Sequence, residues 1–351
     1  MATQAVLPSK LRRESTIIIM IRQVLTRLGS TLLTLFLASI VIFIVIQLPP
    51  GDYAGQYAYH MQESGVILTE DDIQEMRVYY GLDRPLPEQY FSWIMDIVLH
   101  GNFGVSFEYN RPVLEVLGER LGATSLLLLV TLIITYGLAI PIGIITAVRQ
   151  YSAIDYFFST VAYIGLAVPN FLLALILLYI NVVYLGASVG GLFSAEYINA
   201  AWSVGRLLDL LRHLWIPALI LGMGGTALQM RSLRALLLDE KHKLYVTAAR
   251  ARGLSEARLL LKYPVRVAIN PLVSTLGWEL SRIISGAPIV AIVLALPDTG
   301  TIFYNSLLAE DMYLAGAMLM LMTVLTLLGT LVSDILLAAL DPRIRQGGAA
   351  E

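Results

Sequence analysis

The stretch that decides the fold is Leu121–Val148, LGATSLLLLVTLIITYGLAIPIGIITAV, which has no charged residue. At a rise of about 1.5 Å per residue, a helix of this length crosses a hydrocarbon core about 30 Å thick. The chain as a whole is 57% hydrophobic and 14% charged, whereas soluble domains carry about 25% charged residues. The sequence therefore predicts an all-α integral membrane protein, with Pro141 kinking this span.

Five further apolar runs are long enough, or nearly long enough, to cross a membrane. They are Leu28–Leu48, Tyr156–Leu185, Leu214–Met230, Asn270–Leu296 and Met312–Ser333. Six spans in total divide the chain into an N-terminal segment 1–27, a first span 28–48, an aqueous segment 49–120, and a core 121–351 that holds the other five spans. An even number of spans places both termini on the same side of the membrane.

The distribution of Lys and Arg predicts the orientation. Seventeen of the 24 lie in the two termini, at Arg149 and in the loop 231–266, and six lie in the segments on the other side. Because cytoplasmic segments carry the excess of positive charge, both termini and the loop 231–266 are predicted to be cytoplasmic. The segment 49–120 then faces outward.

The outward segment 49–120 is predicted to be helical. Thr69 and Asp72 form a capping box for a helix that ends near Gly81. A second helix covers 87–99, with Tyr90 and Trp93 at helical spacing, which would suit the membrane surface. A third helix, starting at Pro112 and ending at Arg120, leads to the second span.

The most basic stretch lies in the cytoplasmic loop, at Leu236–Arg266, LLLDEKHKLYVTAARARGLSEARLLLKYPVR. Its small residues predict a helix over 245–252, Gly253 suits a helix C-cap where φ is positive, and Ser255 suits the N-cap of a second helix. A compact corner of this kind fits a socket on a soluble partner protein. The alternative is that the loop is only a positive topology signal.

Several functional classes are excluded or disfavoured by composition. The chain has no cysteine, which removes disulfides and thiol catalysis, and its four lysines lie outside any G-x-x-x-x-G-K-[ST] loop. The four histidines are scattered, and we predict no metal site. A polytopic membrane enzyme would need a nucleophile with a base or a zinc motif, and a secondary transporter more often shows repeats and midplane acids.

Polar residues within the predicted spans have two interpretations each. Glu279 and Arg282 lie three positions apart on one helix face. In one interpretation they line a solute path, and Arg282→Ala then impairs transport more than assembly. In the other they form an internal ion pair, with Asp334 as a further candidate partner. Asn170, after Pro169, either exposes backbone to the path or marks an ordinary proline kink. Asp334 is expected to pair with an arginine of the C-terminal segment, at 343 or 345.

The loop resembles the coupling loop of importer-type ABC (ATP-binding cassette) transporter permeases, in the dipeptide, oligopeptide and nickel branch. The decisive residues are Tyr245–Leu254, YVTAARARGL, where Thr247 replaces the glutamate of the general Glu-Ala-Ala pattern. The second half departs, since Tyr263-Pro264-Val265-Arg266 stands where Ile-x-Leu-Pro is usual. Further similar motifs, in order along the chain, are LPPGD at 48–52, GLDRP at 81–85, GNFGVS at 101–106, RPV at 111–113 and DPRIR at 341–345.

The resemblance implies a type I permease with six transmembrane helices, in the inner membrane of a prokaryote, that performs no chemistry itself. Its partners would be a second, similar permease, two ATPase subunits and an external solute-binding protein, with no nucleic acid. This chain would bind no cofactor, because ATP and magnesium would sit on the ATPases. The solute would be a di- or oligopeptide, or alternatively an oligosaccharide or a nickel chelate. The ATPase-coupling residues would be Tyr245, Thr247, Ala248, Ala249, Arg250, Arg252, Gly253 and Leu254.

Overall fold

The computed structural model describes residues 9–48, 51–63, 65–106, 108–185, 191–198, 200–201 and 203–340. These residues form fourteen α-helices, one π-helical turn and one pair of short strands. The first half holds α1 (Ser9–Ile46), α2 (Tyr53–Glu63), α3 (Glu70–Tyr79), α4 (Leu86–Met95), a π-turn (Asp96–His100), antiparallel β1 (Val105–Ser106) and β2 (Arg111–Pro112), α5 (Val113–Val148), α6 (Ala153–Ala167) and α7 (Asn170–Leu185). The second half holds α8 (Val204–Glu240), α9 (Leu244–Ala251), α10 (Glu256–Lys262), α11 (Pro264–Ser274), α12 (Leu276–Val293), α13 (Thr299–Leu308) and α14 (Met312–Leu340).

Between four and six membrane spans can be assigned. Four helical stretches are long and apolar enough on their own: Thr26–Ile46, Val113–Val148, Val204–Glu240 and Met312–Leu337. Two further candidates are bent pairs of helices, namely α6 with α7 and the two halves of α12. The structure is therefore mostly helical, with four to six helical segments that could cross a membrane.

The centre of the fold is the pair α5 and α8, which make the most extensive contact in the molecule. The main apolar core lies between these two helices and α12. It is formed by side chains such as Leu127, Leu214, Ile220, Ile283 and Val290, each no more than 3% exposed. α8 therefore occupies the middle of the bundle, and its last residue leads directly into the basic loop.

Several helices are longer than the apolar spans predicted from the sequence. α1 starts at Ser9 rather than 28, and α5 starts at Val113, so that 113–120 belongs to the second span's helix and not to a separate one. α8 runs from Val204 to Glu240 and takes up the first ten residues of the predicted loop 231–266. No proline interrupts these extensions, and helix propagation adds one hydrogen bond for each residue.

The third predicted span is broken rather than kinked. The chain bends by 107° between α6 and α7, and Val168 between them has extended backbone, with φ −84° and ψ 124°. Pro169 is the cause, since it disfavours the helical conformation of the residue before it. With 15 and 16 residues, each half is only about 23 Å long and crosses a bilayer core only with the other.

The segment 49–120 is helical as predicted, but Tyr90 and Trp93 are buried within the protein. The capping box is confirmed: Asp72 N donates to the Thr69 hydroxyl at 3.3 Å, and Thr69 N donates to the Asp72 carboxylate at 2.8 Å. Tyr90 and Trp93 are buried against α1, where the Tyr90 hydroxyl lies 2.8 Å from Ser39 Oγ. α2 was not predicted from the sequence, although its residues Tyr53, Tyr57 and Met61 recur at helical spacing.

Candidate functional site

The basic loop folds into a helical corner, which we call the elbow (residues 244–262). α9 forms its first arm, and Gly253, with φ +79°, reverses the chain before α10 begins. The Gly253 N–H donates to the Arg250 carbonyl at 3.0 Å. The predicted helix, glycine cap and second helix are present, although the Ser255 hydroxyl makes no capping hydrogen bond.

The elbow has a small apolar core of its own. Val246 and Ala249 of the first arm, 0% and 7% exposed, meet Leu259 of the second arm, which is 0% exposed. Leu254 and Tyr263 pack around them. Ala249 therefore supports the corner from inside. The outer surface is formed by Leu244, Thr247, Ala248, Arg252 and Gly253, all exposed.

An ion pair closes the turn between the two arms. The Arg250 guanidinium contacts the Glu256 carboxylate through both Nε and Nη2, the latter at 3.1 Å. This hydrogen-bonded guanidinium holds the pKa of Glu256 below its usual range. Within the described residues Arg252 makes no ion pair, so its positive charge remains available to a partner surface.

The first arm is anchored to the end of α8 through Glu240. The Tyr245 hydroxyl donates to Glu240 Oε2 at 2.5 Å, and Lys243 Nζ contacts the other carboxylate oxygen. Burial and this carboxylate raise the pKa of Tyr245, which stays protonated and remains a donor. Lys241 Nζ also reaches the Ala147 carbonyl at the end of α5, at 3.2 Å. The elbow is thus fixed to the two central helices.

Glu279 and Arg282 form an internal ion pair in α12. Arg282 contacts Glu279 Oε2 through Nε at 2.9 Å and Nη2 at 2.8 Å. The other carboxylate oxygen accepts from Gln229 Nε2 of α8 at 3.1 Å. Glu279 is 1% exposed, so its carboxylate is satisfied within this chain and is shielded from solvent. Asp334 lies elsewhere, 3.3 Å from Arg27, and the arginines at 343 and 345 lie outside the described residues.

Two glycines of α8 make room for this pair. A Cβ at Gly225 would overlap the Arg282 guanidinium and lie 2.8 Å from Glu279 Oε2, while a Cβ at Gly224 would lie 3.2 Å from Arg282 Nη1. Close packing of this kind is what small residues permit between membrane helices. Gln229, which sequence analysis missed, completes the network from four residues further along.

We predict that Gly225→Ala lowers the thermal stability of the purified protein, because the added methyl group displaces the buried ion pair. Overpacking of this kind costs about 1–3 kcal/mol. Gly137→Ala in α5 is the matched control, since a Cβ there meets nothing within 4 Å. Thermal unfolding of the two variants in detergent measures the difference. Equal unfolding midpoints would show that stability does not require the space left by Gly225.

Asn170 begins α7 at the break after Pro169 and is half-buried. Its side-chain nitrogen lies 3.8 Å from where a Cβ at Gly286 of α12 would stand. The structure thus places Asn170 beside α12. The predicted sites form separate groups: the eight elbow residues lie together, whereas Glu279 and Arg282 belong to the α8–α12 network.

The comparisons with known proteins give the family. Residues 139–346 match the model described as binding-protein-dependent transport system inner membrane component, and residues 20–129 match the N-terminal model for the membrane component of such systems. The chain belongs to this family. This permease is therefore a multi-pass membrane subunit of an ABC importer and is not itself an enzyme. The family confirms the resemblance found in the sequence, and the alternative of a membrane enzyme is wrong.

Three relatives align with the permease over most of their length. A provisionally named peptide permease protein of Brucella suis biovar 1 is 34% identical over 328 residues, covering 93% of this chain and 99% of the relative. The oligopeptide transport system permease protein AppB of Bacillus subtilis is 33% identical over 307 residues, which cover 87% of this chain and 93% of the relative. The glutathione transport system permease protein GsiC of Escherichia coli K12 is 29% identical over 326 residues, which cover 93% of this chain and 99% of the relative.

Proposed function

We propose that this permease imports di- and oligopeptides and that ATP-driven movement enters it through the elbow. In this proposal six spans of type I architecture cross the inner membrane of a prokaryote. Both termini and the elbow are cytoplasmic, and the helical segment between the first two spans faces outward. The excess of Lys and Arg in the termini and in the loop 231–266 supports this orientation.

The shape of the elbow carries the proposal of docking. Its apolar side chains are used inside the corner, yet Leu244 remains 88% exposed and Tyr245 39% exposed. Thr247, Ala248 and the Gly253 turn surround them with small, accessible groups. The elbow thus presents an exposed leucine among small residues, with Arg252 beside it. This surface fits a hydrophobic socket with an acidic rim on an ATPase.

The other partners follow from the family. An ABC importer requires ATPase subunits and a solute-binding protein; we propose two ATPases, a second permease similar to this one, and an external binding protein. ATP and magnesium would be bound by the ATPases, and this chain would bind no cofactor. The apolar side chains exposed along α7, such as Phe171, Ile176 and Tyr179, would lie against lipid or the second permease.

Peptides are the proposed solute because relatives carry peptide or glutathione transport in their names. Oligosaccharides and nickel chelates remain the alternatives, since the binding protein selects the solute before it reaches the permease. For the path itself we propose Asn170 and the exposed edge of Arg282. The buried Glu279 would instead position Arg282 and tie α12 to α8.

Reconstitution tests the proposed solute. The permease is purified with its second permease and ATPases and placed in proteoliposomes with the binding protein. We expect ATP-dependent uptake of a radiolabelled tripeptide, and no uptake of a maltose oligosaccharide or of a nickel–histidine chelate. Uptake of either alternative in place of the tripeptide would overturn the peptide assignment and leave the importer role unaffected.

A further inference from the structure

A second ion pair lies between the elbow and the break in the third span. Asp155, in the first turn of α6, is 2% exposed. Its carboxylate accepts two hydrogen bonds from Arg234 of α8, from Nε at 2.8 Å and from Nη2 at 2.7 Å. Bidentate pairs of this geometry are strong and fix orientation as well as distance.

The same carboxylate also shapes the turn between α5 and α6. It accepts from the Tyr151 N–H at 2.9 Å and from the Ser159 hydroxyl at 3.3 Å. Tyr151 has φ +63°, a left-handed conformation that is unfavourable for a residue with a side chain. Asp155 therefore holds a strained turn on one side and α8 on the other.

Further contacts bind α6 along α8. The Arg231 guanidinium lies 4.7 Å from the centre of the Tyr163 ring. Further along, Gly165 lies so close that a Cβ there would come within 2.6 Å of Met223 Cγ. Such close contact from the start of α6 nearly to the break at Pro169 leaves little room for one helix to slide on the other.

The position of the pair suggests what it does. Arg234 precedes the end of α8 at Glu240 by less than two turns, and the elbow follows at once. On the other side, α6 ends at the 107° break and α7 begins with Asn170. The Asp155–Arg234 pair therefore joins the helix that leads into the elbow to the helix that leads to the break.

We propose that the Asp155–Arg234 pair is a positioning device that makes α6 and the adjoining half of α8 one mechanical unit, so that elbow movement reaches the α6–α7 break. This inference rests on the proposed entry of movement at the elbow. The two residues touch neither solute nor nucleotide, and they act through α6. Without the pair, the start of α6 is no longer held to α8, and only the contacts nearer the break remain to move it.

The test uses the whole complex in proteoliposomes, with a radiolabelled tripeptide as probe. Asp155→Asn keeps the side-chain shape and removes the charge, and Arg234→Lys keeps the charge but loses the planar fork. Asp155→Asn should lower the tripeptide taken up per ATP hydrolysed by about fivefold or more, and Arg234→Lys by less. Glu119→Gln is the matched control, because it removes an exposed carboxylate that pairs with Arg111 at the far end of α5.

A distance measurement gives a readout that loss of stability alone would not change. The chain has no cysteine, so spin labels can be placed at Tyr156→Cys in α6 and Ala257→Cys in the elbow, both exposed positions. With the pair intact, we expect the same distance between the labels with and without ATP. In Asp155→Asn or Arg234→Lys, ATP should change or broaden that distance, and this readout needs no solute.

The outcomes separate this inference from the proposed function. The elbow itself is tested by Gly253→Val, which alters its turn and is expected to lower uptake per ATP hydrolysed. If that variant loses uptake per ATP while Asp155→Asn keeps a normal uptake ratio and an unchanged distance, the role of the pair is overturned and the elbow proposal stands. If Gly253→Val is also normally coupled, the elbow proposal fails and this inference fails with it. A higher ratio of tripeptide taken up per ATP hydrolysed in Arg234→Lys than in Asp155→Asn would support the proposed role of the pair.

Discussion

Replacing Gly253 with valine is expected to leave the permease inserted and assembled while peptide uptake per ATP hydrolysed falls about tenfold or more. Gly253 has φ +79°, where a side chain costs about 1–2 kcal/mol and a β-branched one costs more. A Cβ at this position meets nothing within 4 Å. The cost is therefore conformational and falls on the turn, which relaxes and changes the angle between α9 and α10. Uptake and ATP hydrolysis measured on the same proteoliposomes give the ratio.

Gly253→Asn is the matched control for this variant. Asparagine enters the left-handed region more readily than other residues with a side chain, so the turn should persist and coupling should be nearly normal. A steric or assembly defect would affect both variants, whereas loss of the turn affects mainly valine. Normal uptake per ATP in Gly253→Val would show that the turn geometry plays no part in coupling.

Removing the guanidinium of Arg282 is expected to damage folding at least as much as transport. Glu279 is 1% exposed, and Arg282→Ala leaves its carboxylate in a membrane helix with Gln229 as its remaining side-chain donor from α8. Breaking a buried pair from one side costs about 3–5 kcal/mol. The expected results are a lower thermal midpoint in detergent and less assembled complex. This outcome differs from the expectation based on sequence, which placed the main effect on transport.

A double variant distinguishes a buried charge from a lost contact. Glu279→Gln combined with Arg282→Met removes both charges and keeps similar volumes, and it should recover most of the stability lost in Arg282→Ala. Asp334→Ala is the control, because its pair with Arg27 is 61% exposed on the arginine side and such pairs contribute at most about 1 kcal/mol. A double variant no more stable than Arg282→Ala would contradict the ion-pair account.

The features predicted from the sequence are those encoded within a short stretch. Uncharged runs such as Leu121–Val148 locate the spans, because the bilayer requires a minimum apolar length. The small residues before Gly253 and the Thr69 capping box predict helix ends, because capping depends on residues within one turn. The eight elbow residues also lie together for this reason.

The features that were missed depend on residues far apart in the chain. Asp155 and Arg234 are 79 positions apart and Gln229 and Glu279 are 50 apart, so no local pattern pairs them. Trp93 has the spacing of a surface helix, but its burial is decided by packing on α1. Pro169 can be seen in the sequence, but the 107° bend also depends on distant helices, because α6 packs mainly on α8 whereas α7 packs on both α12 and α8.

The side of the membrane on which the elbow lies tests the account most directly. Leu244→Cys places a single thiol at an 88% exposed position in a chain without other cysteines. A membrane-impermeant thiol reagent is applied to intact spheroplasts and to inside-out vesicles, with and without the ATPase subunits. The account predicts reaction only in the inside-out vesicles, and protection when the ATPases are bound. Reaction from the outside of intact spheroplasts, or no protection by the ATPases, would contradict it.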